Sequence, residues 1–130
     1  MADEQVDFPI EMIPDAASVF MRAHRDFFVR GELQPGVFRN RQGAMSVDWD
    51  KYSNAEQTRD RARSNPLDNA VISMRVGGMR AINSLDVVHV PLEGNQAHSE
   101  SVLPADETLT ETRVHLLRLS VMEIPLASAD

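Results

Sequence analysis

The chain contains no cysteine. Disulfides, thiolate metal sites and a cysteine nucleophile are thereby excluded. It also lacks any apolar run approaching the roughly 18 residues that a membrane span needs. Its opening, "MADEQVDFPIEMIPDAAS", shows neither the basic stretch nor the apolar core of a secretory signal, so a cytoplasmic setting is expected. Positive charge is scarce: 13 lysines and arginines face 20 aspartates and glutamates, a formal net charge of −7. An acidic surface repels phosphate backbones and anionic lipid, which disfavours general DNA binding and membrane attachment. No internal repeat or low-complexity tract is visible. There is no Walker loop, G-x-G-x-x-G, H-E-x-x-H, G-x-S-x-G or calcium loop, so no motif announces a reaction class.

What is present suffices for one folded unit. A chain of 130 residues with an apolar fraction of 42% can bury a single modest core. The organisation expected is an acidic N-terminal segment over 1–14, free to be flexible, a single domain over 15–122 and a tail over 123–130. Pro9 and Pro14 keep the first segment out of a central strand. Residues 16–30, "AASVFMRAHRDFFVR", read as a helix, with Asp15 as N-cap, Gly31 at the C-terminal end and an apolar stripe through Phe20, Ala23 and Phe27. Pro35 and Gly36 have the chemistry of a type II turn. Residues 37–40 and 44–50 read as strands, the second alternating Met45, Val47 and Trp49 with Ser46, Asp48 and Asp50. Ser53 and Glu56 suggest a capping box for a polar helix over 54–63, which has almost no apolar stripe. Residues 70–76 and 85–90 read as strands, with a turn and a short helix or strand between them. A helix is expected over 107–120, followed by a last strand or tail. The fold class is α+β, a small, mostly antiparallel sheet of four or five strands with about three helices.

Chemistry is sought in four groups of residues. The loop "HVPLEGNQAHS" holds His89, Asn95, His98 and Ser99. His89 alternates with Val88 and Val90, so it is expected to face away from them, toward solvent or a cleft. Two imidazoles at a strand end can act as acid and base, and Asn95 can donate a hydrogen bond. Ser46, Asp48 and Asp50 share one strand face, where carboxylates can hold magnesium or orient a water. Arg22, Arg25, Arg30, Arg39 and Arg41 gather positive charge in an otherwise acidic chain, as a site for a phosphate, a nucleotide or an acidic partner requires. Three of the four histidines, His24, His89, His98 and His115, could bind zinc if they met in space, but nothing in their spacing shows that they do, so no metal ligand is assigned and the cofactor is left open.

The order "RAHRDFFVRGELQPGVFR", "MSVDWDKYSNAEQTR" and "VHVPLEGNQAHSES" resembles a family of small bacterial proteins whose activity is not established. That resemblance spans about residues 20–100 and highlights Phe27, Gly31, Phe38, Arg39, Ser46, Asp48, Asn95, Ala97 and His98. It implies a place in mobile-element or defence-related gene neighbourhoods.

These readings converge on a polar cleft lined by Arg39, Asp48, Asn95 and His98, with His89 near. The cleft is expected to bind a phosphate-bearing ligand, a nucleotide or an RNA end. His98, His89 and Asp48 are the candidate catalytic groups, and Arg39, Asn95, Ser46 and Ser99 the candidate ligand contacts. Whether the protein is an enzyme is left open. The competing expectation is a non-catalytic accessory subunit that docks on a larger protein partner through the polar helix 54–63 and the acidic ends.

Overall fold

Residues 16–30 do not form the expected helix. In the computed structural model, which describes residues 8–39, 43–82, 85–103 and 109–127, strand β1 runs from Ser18 to His24. Val19, Met21 and Ala23 are buried with a period of two, while Phe20, Arg22 and His24 turn to the other face. The stripe through Phe20, Ala23 and Phe27 fits a helix locally. Strand wins because β1 pairs on both sides, with β4 (Ala44–Trp49) and, from Ser18↔Arg75 to His24↔Asn69, with β5 (Asn69–Arg75). Such partners, distant in sequence, override local preference.

A 3-10 turn at Arg25–Phe27 follows, then a tight hairpin of β2 (Phe28–Val29) and β3 (Glu32–Leu33). Its two turn residues, Arg30 and Gly31, have φ of 54° and 81°, the pair of positive values that a two-residue hairpin turn requires. Gly31 therefore serves a hairpin and not a helix end. A second 3-10 turn, Pro35–Val37, replaces the expected type II turn and the start of the strand expected over 37–40. Residues 40–42 lie outside the described residues.

The alternating strand is present as β4. The polar helix is α1 (Ala55–Asp60), shorter than expected, and its capping box lies one residue later. Asn54 Oδ1 accepts from the Gln57 N–H at 2.8 Å, and Gln57 Oε1 accepts from the Asn54 N–H at 3.2 Å. After β5 the chain passes through α2 (Val76–Arg80) to β6 (Asp86–His89). The end of the histidine loop is itself a strand, β7 (His98–Val102). Helix α3 (Leu109–Leu119) and β8 (Val121–Ile124) complete the order.

The strands form a six-stranded antiparallel sheet in the order β6-β7-β4-β1-β5-β8, beside the small β2-β3 sheet. The α+β class holds, with six strands in the main sheet where four or five were expected. One sheet face carries the core: Val19, Met21, Val47, Trp49, Ile72, Met74 and Val87, together with Val76 and Met79 of α2 and Leu116 of α3. The opposite face is polar, and α1 crosses it over β1 and β5. Residues 8–14 lead into β1, with Ile13 buried in the core. Among the described residues no helix is long and apolar enough to cross a membrane.

Candidate functional site

The pleat of β4, β1 and β7 builds a recess on the polar face. Antiparallel register sets Asp48 opposite both His98 and Phe20, and Ser46 opposite Glu100. Every second residue of these strands therefore faces one space. The recess has a volume of about 890 Å³, and Arg22, Arg39, Ser46, Asp48, Asn95 and His98 all line it. Phe20 and Phe27 give it apolar walls, and Thr58 and Arg61 of the α1 segment contribute to its lining.

Asp48 is its organising residue, with 5% of its surface exposed. Its Oδ2 accepts from Thr58 Oγ1 at 2.8 Å and from the Arg61 guanidinium at 2.7 Å. Its Oδ1 accepts from Asn95 Nδ2 at 3.0 Å. Arg61 also donates to Ser53 Oγ at 2.9 Å, and Ser53 and Thr58 are themselves hydrogen-bonded at 3.0 Å. This network explains how α1 stays folded without an apolar stripe. Asn95 is held a second time, its Oδ1 accepting from the Ala97 N–H at 3.1 Å.

Arg22 donates to the Thr58 carbonyl at 2.7 Å. Burial lowers its pKa from the ordinary arginine value, with Arg61 adding to the fall and Asp48 opposing it. Arg39 is exposed at the rim and lies 5.5 Å over the Phe27 ring, a cation–π contact. Among the described residues neither arginine has a carboxylate oxygen within 4.0 Å.

His98 is anchored by its main chain and its ring to the same residue. Its carbonyl accepts from the Val90 N–H at 3.0 Å, and its Nδ1 lies 2.9 Å from the Val90 carbonyl. A carbonyl can only accept, so Nδ1 carries a proton, and in the neutral ring Nε2 is the acceptor that faces the recess. There Nε2 meets Ser46 Oγ at 3.3 Å.

The other anticipated residues lie elsewhere. His89 does not face solvent or this cleft: it is 3% exposed, and Val88 is the exposed neighbour. Its Nδ1 accepts from the Glu11 N–H at 3.0 Å, and its Nε2 donates to the Gln96 carbonyl at 2.8 Å. The ring is stacked on Tyr52 and edge-on to Trp49. Ser99, paired with Val47 on the core side, is fully buried and donates to the Ala97 carbonyl at 3.0 Å. Asp50 sits past the end of β4 and accepts from the Ser18 N–H at 3.2 Å. Arg25 pairs with Asp68 at 3.1 Å, Arg30 occupies the hairpin turn, and Arg41 lies outside the described residues. His115 is on α3, away from the recess, and among the described residues no three His, Asp or Glu side chains form a metal-holding group.

Sequence reasoning passed over Thr58, Arg61 and Glu100. Thr58 and Arg61 are three apart in the polar helix, a spacing that puts two side chains on one helical face. Glu100 shares a strand face with His98, which becomes visible only once β7 is recognised. No family model, curated protein or solved structure matches the chain.

Proposed function

We propose that the recess binds a phosphate-bearing ligand, a nucleotide or an RNA end. The observation that carries this reading is the presence of two guanidinium groups, Arg22 and Arg39, lining one recess with no carboxylate partner among the described residues. Arg61 does not add to them, because Asp48 already matches its charge at 2.7 Å. Glu100 and Asp26 are the opposing charges, so the formal charges of the recess are even, and an anion would be held by the local placement of the two guanidinium groups and not by net charge. Asp26 lines the mouth with its side chain 82% exposed and beside His24. Guanidinium forks fit phosphoryl oxygens, and a space of this volume accommodates a nucleotide. Phe20 and Phe27 offer apolar surface for a base. The bacterial, defence or mobile-element setting proposed with this reading follows from the family resemblance alone, and the cytoplasmic setting from the sequence opening.

The test is calorimetric titration of the full chain with adenosine monophosphate and with inorganic phosphate at two salt concentrations. Binding is expected, weaker at high salt, and Arg39→Ala should weaken it about tenfold, the loss of one charge-assisted contact. Absence of binding by both, or an Arg39→Ala variant that binds as the parent does, would overturn the reading.

A second reading, a non-catalytic subunit that docks on a larger protein, is favoured by a different surface. Ile10 and Met12, 78% and 86% exposed, stand with Val88 around a shallow groove at the free edge of β6. Substituting both Ile10 and Met12 by serine would abolish such docking and leave adenosine monophosphate binding unchanged.

A further inference from the structure

Resting on the reading of the recess as a phosphate site, we propose that Ser46 is a nucleophile activated by His98, and that the substrate class is a phosphodiester. Among the described residues Ser46 is the one serine whose hydroxyl is hydrogen-bonded to an imidazole, at 3.3 Å. The other described serine hydroxyls with polar partners serve structure: Ser73 bonds Glu123, Ser99 the Ala97 carbonyl, Ser120 the Leu117 carbonyl, and Ser53 the α1 network. Ser46 is exposed, faces the recess and has no other side-chain hydrogen bond among the described residues to compete for its proton.

The imidazole is prepared for the complementary role. The Val90 carbonyl fixes the proton on Nδ1 and sets the ring plane, so the lone pair of Nε2 is aimed at Ser46 Oγ. A nucleophile, a base and a group that orients the base are the three parts an activated hydroxyl needs. A length of 3.3 Å is at the long end for such a bond, as is usual before substrate compresses the site. Both residues stand on paired strands inside the sheet, β4 and β7, and not on a loop, so their separation is set by the ladder from Ala44↔Val102 to Asp48↔His98.

The chemistry balances without a co-reactant other than water. Ser46 Oγ attacks phosphorus and its proton passes to His98 Nε2. The bond from phosphorus to the leaving alkoxide breaks on the far side, in line with the attack, and that oxygen takes a proton from water, leaving hydroxide. Ser46 then carries the rest of the substrate as a phosphodiester. The hydroxide attacks the same phosphorus from the vacated side, and the serine oxygen leaves and recovers its proton from Nε2. Arg22 and Arg39 face the charge that spreads over the non-bridging oxygens, which is where positive groups lower the barrier.

The experiment uses the full chain with two probes. Diisopropyl fluorophosphate should form one adduct, mapped by peptide mass spectrometry to Ser46, with fluoride leaving. Bis(4-nitrophenyl) phosphate should release nitrophenolate. Ser46→Ala should abolish both. His98→Asn keeps a side-chain N–H able to reach the Val90 carbonyl but lacks Nε2, so it should slow both by about 100-fold or more. If His98→Asn does not fold, the adduct map on the wild-type chain and the exposed Ser46→Ala variant decide the matter. An adduct on another residue, or nitrophenolate release undiminished in Ser46→Ala, would overturn the assignment. Binding of adenosine monophosphate without any Ser46 adduct would overturn the nucleophile while sparing the phosphate site. An adduct on Ser46 in a chain that binds no adenosine monophosphate would overturn the phosphate reading and the phosphodiester substrate with it.

Discussion

Replacing Asp48 by alanine removes the acceptor that three elements share. Thr58 Oγ1, the Arg61 guanidinium and Asn95 Nδ2 all donate to it, at 2.8, 2.7 and 3.0 Å. The cost is worked donor by donor. Thr58 and Arg61 each keep a bond to Ser53 Oγ, and the Arg61 side chain, 28% exposed, can be partly rehydrated. Asn95 Nδ2 loses its partner inside the recess. Stripping one member from a fully buried ion pair costs about 3–5 kcal/mol. Retained partners and water access at Arg61 reduce that figure, so the expected loss is about 2–3 kcal/mol, each stranded donor costing on the order of 1 kcal/mol. For a domain of this size that is a fall in Tm of about 10 °C. Urea unfolding should show a lower midpoint at unchanged slope, since the surface exposed on unfolding is the same. Arg61→Ala should cost less in the Asp48→Ala background than in the parent, with a coupling of about 1–2 kcal/mol. A loss below about 0.5 kcal/mol, the value of a solvated surface pair, would refute the view of Asp48 as the anchor of the recess.

Other perturbations separate the two sheet faces. His89→Ala strands the Gln96 carbonyl and opens space between Trp49 and Tyr52, so it should lower stability by about 2–4 kcal/mol in denaturant unfolding while leaving adenosine monophosphate binding intact. Gly77→Ala should destabilise by about 1–3 kcal/mol, because the new methyl would lie 3.0 Å from the Asp15 carbonyl oxygen, which is backbone. Gly78→Ala meets only the end of the Leu119 side chain, also at 3.0 Å, and gains helix propensity, so its Tm should exceed that of Gly77→Ala. The tie between the N-terminal segment and the turn after β4 should depend on pH. Hydrogen bonds from Lys51 and then Tyr52 hold the Glu11 carboxyl below its ordinary 4.5, and the bond to Glu11, then Tyr52, holds the Lys51 amine above its ordinary 10.5. A depressed carboxyl stabilises above its unfolded pKa and fails as pH falls through the folded one; a raised amine stabilises below its unfolded pKa and fails as pH rises through the folded one. Protease cleavage within residues 8–14 should therefore be slow at neutral pH and faster below about 4.5 and above about 10.5, a contrast that Glu11→Gln should blunt at the acid end.

Elements whose pattern is local were readable from the residues. Met45, Val47 and Trp49 announced β4 by alternation, and the apolar runs gave β5 and β6. Residues 18–24 were not readable in this way, because Phe20 and Ala23 satisfy a helical stripe as well as Val19, Met21 and Ala23 satisfy a strand. Only pairing to β5, far along the chain, decides between them. β7 was hidden by its composition: "HSESV" is polar because one side faces the recess and the other buries two small serines, Ser99 and Ser101. Its polarity also makes His89 and His98 look like members of one loop, whereas they lie on opposite faces of the sheet. The recess itself was legible in part. Arg39, Ser46, Asp48, Asn95 and His98 do share one space, because strand alternation and a loop asparagine are local signals. Arg22 is legible as charge but not as a wall of the recess, since a helix over 16–30 would point it elsewhere.

The strand order carries a kinetic consequence. Of the neighbours in the main sheet, β6 and β7 follow each other directly along the chain and β1 and β4 are separated by the β2-β3 hairpin; β1 also pairs with β5, and β5 with β8. Large loops must close before the central ladders form, which slows folding relative to a domain built from local contacts. During synthesis β1 leaves the ribosome well before β5 exists to pair with it. Val19, Met21 and Ala23 then stand unpaired in a nascent chain. Arg22, in the middle of that strand, is the charge that discourages it from pairing with a stranger while it waits.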